Sequence, residues 1–214
     1  MKNKKDSEEI FNKLYELYPD AQCELNHTNP FELLIATVLS AQTTDKKVNE
    51  VTAKLFNKYK TPYDFAKLPQ EELEKEIKEI GLYKNKSKNI ISLSKALVEN
   101  FNGEVPRTHE ELMSLAGVGR KTANVVLSNA YGVPAFAVDT HVFRVSNRIG
   151  VAKSKNVEET EKQLTDLVPK DQWIKAHHTL IFHGRRMCKA IKPQCGECTI
   201  KEVCEFHKSI TDDL

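Results

Sequence analysis

The hydrophobic positions of this chain recur every three to four residues, and strict alternation of apolar and polar residues is missing. This spacing is typical of amphipathic helices, so the pattern predicts an all-α protein. The segment FELLIATVLS, which follows Asn29 and Pro30, is apolar on nearly every side. We expect it to form a helix buried within the fold, with Pro30 in its first turn.

The predicted helix boundaries are marked by residues that cap or begin helices. Asp6 with Glu9 fits the capping position of a first helix, and Thr108 with Glu111 forms a capping-box pattern for a helix that ends near Ala116. The connections between the predicted helices are short, as expected for closely packed elements. The predicted helices begin near Asp6, Pro30, Thr44 or Asp45, Pro62, Pro69, Lys84, Thr108, Lys121, His141, residue 157 and Trp173.

The segment LAGVGRKTANVVL, residues 115–127, predicts two helices joined by a tight glycine hairpin. Gly117 and Gly119 permit unusual backbone angles and a close approach of another backbone, while Val118 and Arg120 complete the turn. The N–H groups that begin the second helix have no intrahelical acceptors, so they can bind a backbone phosphate whatever the base sequence of the nucleic acid. We therefore expect these four residues to contact the backbone of a nucleic acid.

Two ionisable residues near this hairpin are candidates for catalysis. Lys121 lies in the first turn of the second helix, where the helix dipole disfavours an ammonium ion and so makes a neutral, nucleophilic amine more available. A solvated cation at a turn is the alternative. Asp139 is the sole acid between Glu111 and Glu158 and follows a run of uncharged residues. It is either a catalytic carboxylate or the cap of the helix that follows it.

Four of the five cysteines are concentrated near the C-terminal end, in the pattern C-x6-C-x2-C-x5-C. Four thiolates this close can bind a tetrahedral Zn²⁺ ion or a [4Fe–4S] cluster, and the spacing alone, which slightly favours zinc, leaves both open. Cys23 stands apart, and we interpret it as a small buried apolar residue. The predicted metal ligands are Cys188, Cys195, Cys198 and Cys204.

Charge and hydropathy exclude several classes of protein. Lys and Arg number 32 against 30 Asp and Glu, so the net charge of +2 indicates no partner by itself, but basic residues collect at 83–88, 119–121 and 184–192. No apolar stretch is long enough to span a membrane, and the charged N-terminus MKNKKDSEEI lacks the apolar core of a secretory signal. We expect a soluble, cytoplasmic protein without a membrane partner.

Three segments and the cysteine pattern together carry a resemblance to a known family. The segments are LLIATVLSAQTTD (33–45), GLYKNKSKNI (81–90) and LAGVGRKTANVVLSNAYGVPAFAVDTHVFRVSNR (115–148). In these segments the chain resembles the endonuclease III branch of the helix-hairpin-helix DNA glycosylase superfamily, and the similarity extends over nearly the whole chain. The resemblance implies an all-α protein of two lobes, with a DNA-binding cleft between them and a [4Fe–4S] cluster on the four cysteines.

The resemblance also implies roles for particular residues. Lys121 matches the nucleophile of the family and Asp139 its catalytic carboxylate, while Gln42 and Leu82 match residues that enter the duplex where the damaged base has left. The implied reaction releases an oxidised or damaged pyrimidine and then cleaves the strand 3′ to the abasic site by β-elimination through a lysine Schiff base. The expected DNA contacts are Gln42, Leu82, Gly117, Val118, Gly119, Arg120, His141, Arg185 and Lys192.

The implied domain organisation is discontinuous in sequence. We expect a six-helix domain over 22–133 that contains the hairpin, and an iron–sulfur cluster domain formed by 1–21 and 134–214. The expected partner is double-stranded DNA that carries damaged pyrimidines or abasic sites, bound by a monomer that associates with the nucleoid when on DNA.

Two other functions fit parts of the sequence. An adenine-mismatch glycosylase has the same cysteine pattern, but it usually carries a small hydroxyl residue where this chain has Lys121, and it needs a longer C-terminal part than a chain ending at Leu214 provides. A non-catalytic helix-hairpin-helix module with a structural metal would need only the glycines and basic residues. The presence of both Lys121 and Asp139 favours the enzyme.

Overall fold

The computed structural model describes residues 1–212, and within that range all regular secondary structure is helical. The all-α prediction is therefore confirmed. None of these helices is both long and apolar enough to cross a membrane. The α-helices are α1 (Lys4–Leu17), α2 (Pro30–Leu39), α3 (Asp45–Lys58), α4 (Pro62–Ala66), α5 (Gln70–Glu76), α6 (Tyr83–Asn100), α7 (His109–Met113), α8 (Arg120–Tyr131), α9 (Thr140–Ile149), α10 (Val157–Leu167), α11 (Trp173–Arg186) and α12 (Glu205–Asp212).

The chain divides into two compact units, one formed by residues 1–22 with 134–214 and the other by residues 23–133. Gln22 falls in the first unit, whereas we expected it in the second. The second unit contains seven α-helices, whereas the resemblance implies six. The short helices α4 and α5 begin at Pro62 and directly after Pro69, as the sequence predicts. Residues 213 and 214, which the expected cluster domain includes, lie outside the described residues.

The unit of residues 23–133 is built around α2. Nine of its ten residues are buried, which agrees with its apolar sequence, and Asn29 caps its first turn by accepting from the N–H of Glu32. Helix α2 packs against α3, α6 and α8, and α4 packs against α6. Phe31 of α2 and Phe65 of α4 meet edge to face with their ring centroids 5.4 Å apart. This packing places both α6 and α8 against one buried helix.

The unit of residues 1–22 and 134–214 is built around α11, which packs against α1 and α9. Gly184 permits the close approach of α9, because a Cβ at this position would lie 3.0 Å from the Cβ of His141. Our prediction that Asp6 caps α1 is wrong. The cap is Asn3, whose side chain accepts from the Asp6 N–H, so that Asp6 lies in the first turn. An acid in the first turn and an acid at the cap give similar sequence patterns.

Candidate functional site

The glycine hairpin between α7 and α8 adopts the backbone conformation that its sequence requires. Gly117 has a φ of +77°, and a Cβ there would lie 2.9 Å from Nδ2 of Asn89 on α6. Gly119 is the N-cap of α8, carries no side-chain cap, and has open space around its Cα. The first N–H groups of α8 are therefore uncapped by any side chain at the hairpin, which is the arrangement that binds a phosphate at a helix N-terminus.

The flanking residues of the hairpin have different environments. Arg120 and Lys121 are exposed in the first turn of α8. Val118 is buried, with 7% of its surface exposed. Its N–H donates to the carbonyl of Leu115. The Val118 side chain therefore anchors the hairpin to the core, and the expected contact of this residue with the DNA backbone stays a prediction.

Helix α7 is shorter than predicted, and it is tied to α8 by a polar contact. The helix ends at Met113 rather than near Ala116, because the chain already turns at Ser114 toward the hairpin. Thr108 caps α7, and its hydroxyl accepts from the Glu111 N–H. His109 of α7 contacts the side-chain oxygen of Asn124 on α8. Because Asn124 is one turn after Lys121, this contact fixes the part of α8 that carries the amine.

Asp139 is the N-cap of α9. Its Oδ1 accepts a hydrogen bond of 2.8 Å from the Val142 N–H, and the residue is half-buried after the buried run of 135–138. The prediction that Asp139 caps the helix that follows it is thus confirmed. This hydrogen bond fixes the orientation of the carboxylate, which is also what a catalytic carboxylate requires.

Helix α9 continues from Asp139 toward the cysteines. The Nδ1 of His141 lies 3.2 Å from Nη2 of Arg144, and Arg144 donates to the carbonyls of Gly184 and Cys188. Burial lowers the pKa of His141, whereas the charge of Asp139 opposes this shift. Arg144 was not among the functional residues predicted from the sequence. The signal was its spacing from Arg148, four residues later, which puts both guanidinium groups on one face of α9.

The four predicted ligand cysteines all line one cavity. Cys188 and Cys204 are buried, while Cys195 and Cys198 are half-buried. Burial raises the pKa of the thiols of Cys195, Cys198 and Cys204. Nη1 of Arg148 lies 3.6 Å from Sγ of Cys188. Within residues 1–212, no group of three or more His, Cys, Asp or Glu side chains is arranged to hold a single metal ion. Four thiols around one cavity match the donor set of an iron–sulfur cluster.

The three histidines of α11, His177, His178 and His183, are buried. His183 lies against the cysteine cavity, with its Nδ1 3.1 Å from the hydroxyl of Tyr18 and its Nε2 3.8 Å from Sγ of Cys198. Burial lowers the pKa of His183 to about 4 and that of His178 to about 3. Both rings are therefore neutral near pH 7.

A pH dependence of stability follows from His178. Because its pKa is about 3 in the folded chain and near 6.5 when unfolded, the unfolded state binds more protons between these values. Stability is therefore greatest above pH 6.5 and falls with decreasing pH. Through His178 alone, the free energy of unfolding should be about 2 kcal/mol lower at pH 5 than at pH 7.5. Urea unfolding at both pH values should show a smaller difference in His178→Gln, and an unchanged difference would contradict the assignment.

Strained backbone marks three of the predicted DNA contacts. Gln42, Leu82 and Lys192 have φ values of 55°, 59° and 52°, and only Asn102 shares such a positive value among the non-glycine residues of 1–212. A left-handed conformation costs a non-glycine residue on the order of 1 kcal/mol. Leu82 is also 57% exposed, although it is apolar. Strain and exposure of this kind concentrate where a protein meets a ligand.

Lys192 and Arg185, two of the predicted DNA contacts, have different surroundings. Lys192 is exposed in the loop between Cys188 and Cys195, beside Ile191, which is 81% exposed. Arg185 is half-buried in the last turn of α11. Its neighbour Arg186 lies 3.5 Å from the carboxylate of Asp20 and stacks on Phe182.

Comparison with known proteins identifies the family to which this chain belongs. Residues 35–170, which include the hairpin, Lys121 and Asp139, match the profile described as the HhH-GPD superfamily base excision DNA repair protein. The chain belongs to this superfamily. Curated relatives of the HhH-GPD chain include the endonuclease III of Bacillus subtilis (strain 168), which is 55% identical over 205 residues that cover 95% of this chain and 94% of the relative. The endonuclease III of Escherichia coli (strain K12) is 49% identical over 208 residues, which cover 97% of this chain and 99% of the relative.

Solved structures agree with this HhH-GPD membership. A trapped endonuclease III–DNA covalent intermediate superposes with a TM-score of 0.95 at 52% identity, covering 99% of this chain and all of that one (100%). A thermostable thymine-DNA glycosylase superposes with a TM-score of 0.85 at 26% identity, covering 94% of this chain and 96% of that one. The predicted HhH-GPD family and fold are therefore confirmed.

Proposed function

We propose that this protein is a base-excision-repair DNA glycosylase that also cleaves the strand at the resulting abasic site, with Lys121 as its nucleophile. The observation that carries the proposal is the exposed amine of Lys121, in the first turn of α8 and directly after an uncapped glycine hairpin. Endonuclease III relatives that are about half identical over nearly the whole chain support the same activity.

The hairpin binds DNA without reading its sequence. The N–H groups that begin α8 can donate to a backbone phosphate, and the exposed Arg120 adds a charge-assisted contact. Contacts of this kind hold an enzyme on any sequence, which suits a repair enzyme whose substrate is defined by damage. They also make binding weaken steeply with salt, because bound counterions are released from the DNA. Lys192 and Arg185 supply further positive charge, and His141 is a further candidate contact.

Gln42 and Leu82 act on the gap that a flipped base leaves behind. Both are exposed and held in left-handed turns, so their side chains project from the surface. The amide of Gln42 can satisfy the base that has lost its partner, and Leu82 can fill the stack. Extrusion costs a few kcal/mol, and less for a damaged base, so it favours oxidised or damaged pyrimidines that stack poorly.

Lys121 then carries out the covalent step. Its neutral amine attacks the anomeric carbon of the sugar, the bond from that carbon to the base breaks, and the base departs with the bonding electrons and gains a proton. The nitrogen then loses its extra proton, the bond between the anomeric carbon and the ring oxygen breaks, and that oxygen takes up a proton. This leaves an iminium, which acidifies the neighbouring sugar C–H. Loss of that proton expels the 3′ phosphate by β-elimination, and water releases the sugar from Lys121. The carboxylate of Asp139 stabilises the positive charge that develops on the sugar.

The four cysteines hold a [4Fe–4S] cluster in this proposal. Such a cluster, when bound, supplies a covalent brace between Cys188 and Cys204, and we assign it no step in the reaction. Arg144 and Arg148 fix the backbone at the first cysteine by donating to the carbonyls of Cys188 and Lys189. The brace orients the loop that carries Lys192.

Product analysis tests the proposed function. The chain is incubated with a duplex that contains one thymine glycol, and base release and strand cleavage are measured separately, with an undamaged duplex of the same sequence as control. We expect release of the damaged base and cleavage 3′ to it, without cleavage of the control. Base release without cleavage would favour a glycosylase that uses water, and duplex binding with neither reaction would favour the non-catalytic module.

A further inference from the structure

One buried cation of the unit of residues 23–133 has no part in the proposed chemistry. Lys86 on α6 is 4% exposed, and its Nζ donates to the carbonyls of Leu39 at 2.9 Å and Ala41 at 2.6 Å. It lies 3.2 Å from Oγ1 of Thr43 as well. These three acceptors are neutral oxygens, and burial lowers the pKa of Lys86. Burial of an ammonium group costs free energy. Core packing alone therefore does not explain why Lys86 makes three hydrogen bonds to one short segment.

The acceptors of Lys86 define one turn. Leu39 is the last residue of α2, and the carbonyls at a helix C-terminus lack intrahelical donors. Residues 40–43 turn directly after it, with the Thr43 N–H donating to the carbonyl of Ser40. Gln42 lies in this turn with its positive φ. Lys86 therefore bonds residues on both sides of Gln42, and it satisfies the buried carbonyl of Leu39 at the end of α2.

Lys86 also belongs to the turn that carries Leu82. Leu82 is the N-cap of α6, and the Lys86 N–H donates to its carbonyl at 3.1 Å, closing the first turn of the helix. The two strained turns are neighbours, because a Cβ at Gly81 would lie 3.7 Å from the carbonyl oxygen of Gln42. One side chain thus joins the segment of Gln42 to the helix start of Leu82.

We propose that Lys86 is a positioning residue that holds Gln42 and Leu82 as one preorganised wedge for the gap in the duplex. The proposal rests on the proposed function of those two residues. Without the three hydrogen bonds, the turn of residues 40–43 relaxes from its left-handed conformation, and Gln42 no longer enters the duplex together with Leu82. Lys86 acts through these residues and does not touch the reacting atoms.

The first test compares Lys86→Met with Lys95→Met, a matched loss of an exposed lysine on the same helix. Each variant is assayed for strand cleavage at an abasic site in a duplex and in single-stranded DNA, which has no opposite base and needs no wedge. We expect Lys86→Met to lose about 10- to 100-fold in the duplex reaction and to retain the single-strand reaction. Lys95→Met should match the unchanged protein on both. A parallel loss on both substrates would mean a merely structural role and would overturn the proposal.

The second test is a double-mutant cycle with Gln42→Ala. If Lys86 acts through Gln42, the duplex loss of the double variant should be close to that of Lys86→Met alone. If the activity losses of the two single variants multiply in the double variant, the proposal is overturned. It is also overturned if Lys86→Met keeps full activity on the duplex while Gln42→Ala is impaired. Those outcomes leave the proposed function standing. An unchanged protein that cleaves neither abasic substrate would instead refute the proposed function, and the positioning role with it.

Discussion

Replacement of Lys121 by glutamine is expected to abolish the covalent adduct that borohydride traps between this protein and a duplex containing thymine glycol. Reduction converts the iminium between the lysine and the sugar into a stable amine, so the adduct requires the Nζ of the nucleophile. Glutamine keeps the polarity of this exposed position at the start of α8, and it favours the helix about as well as lysine does. Adduct formation and strand cleavage, measured on denaturing gels, should fall at least about 1,000-fold.

Arg120→Gln is the matched control for Lys121→Gln, since it removes the neighbouring exposed charge from the same turn. We expect Arg120→Gln to bind DNA more weakly and with a shallower dependence on salt, yet to form the adduct in full once the DNA is saturated with protein. If Lys121→Gln still forms the adduct at the original rate, another amine is the nucleophile and the proposed role of Lys121 is wrong.

Much of the fold can be predicted from local sequence signals, because helix boundaries depend on nearby residues. Asn29 with Pro30 and Thr44 begin α2 and α3 where their capping chemistry predicts. The error at Asp6 shows the limit, since Asn3 and Asp6 both suit the start of a helix and only the hydrogen bond distinguishes them. The length of α7 depended on where the hairpin turned, which its own sequence does not determine.

The candidate site is likewise only partly predictable from local sequence signals. The glycine hairpin and the four cysteines are evident from spacing, because their residues are close in sequence. The role of Lys86 is not evident from the sequence, because Lys86 is one of several lysines near the start of α6. Its role follows from its burial against the C-terminus of α2. Likewise, the left-handed backbone of Leu82 has no signal in the residue type, because leucine rarely adopts it.

Asp139→Asn is expected to slow the release of a damaged base by about 100- to 10,000-fold, the range typical of a lost acid–base or charge-stabilising group. The amide carries no charge to stabilise the positive sugar. Asparagine is as good an N-cap as aspartate, and its oxygen can still accept from the Val142 N–H, so α9 should remain folded. The rate of base release under single-turnover conditions measures this effect, with urea unfolding as the check that stability is unchanged.

Two further variants separate the charge of Asp139 from its capping role. Asp139→Ala removes both, so it should be as inactive as Asp139→Asn and, in addition, less stable by about 1 kcal/mol through the lost cap. Asn156→Asp exchanges the same two residue types at the N-cap of α10, and it should leave base release unchanged. If Asp139→Asn releases the base at the original rate while Asp139→Ala does not, the capping hydrogen bond is the whole function of Asp139. The positive sugar would then be stabilised by another group.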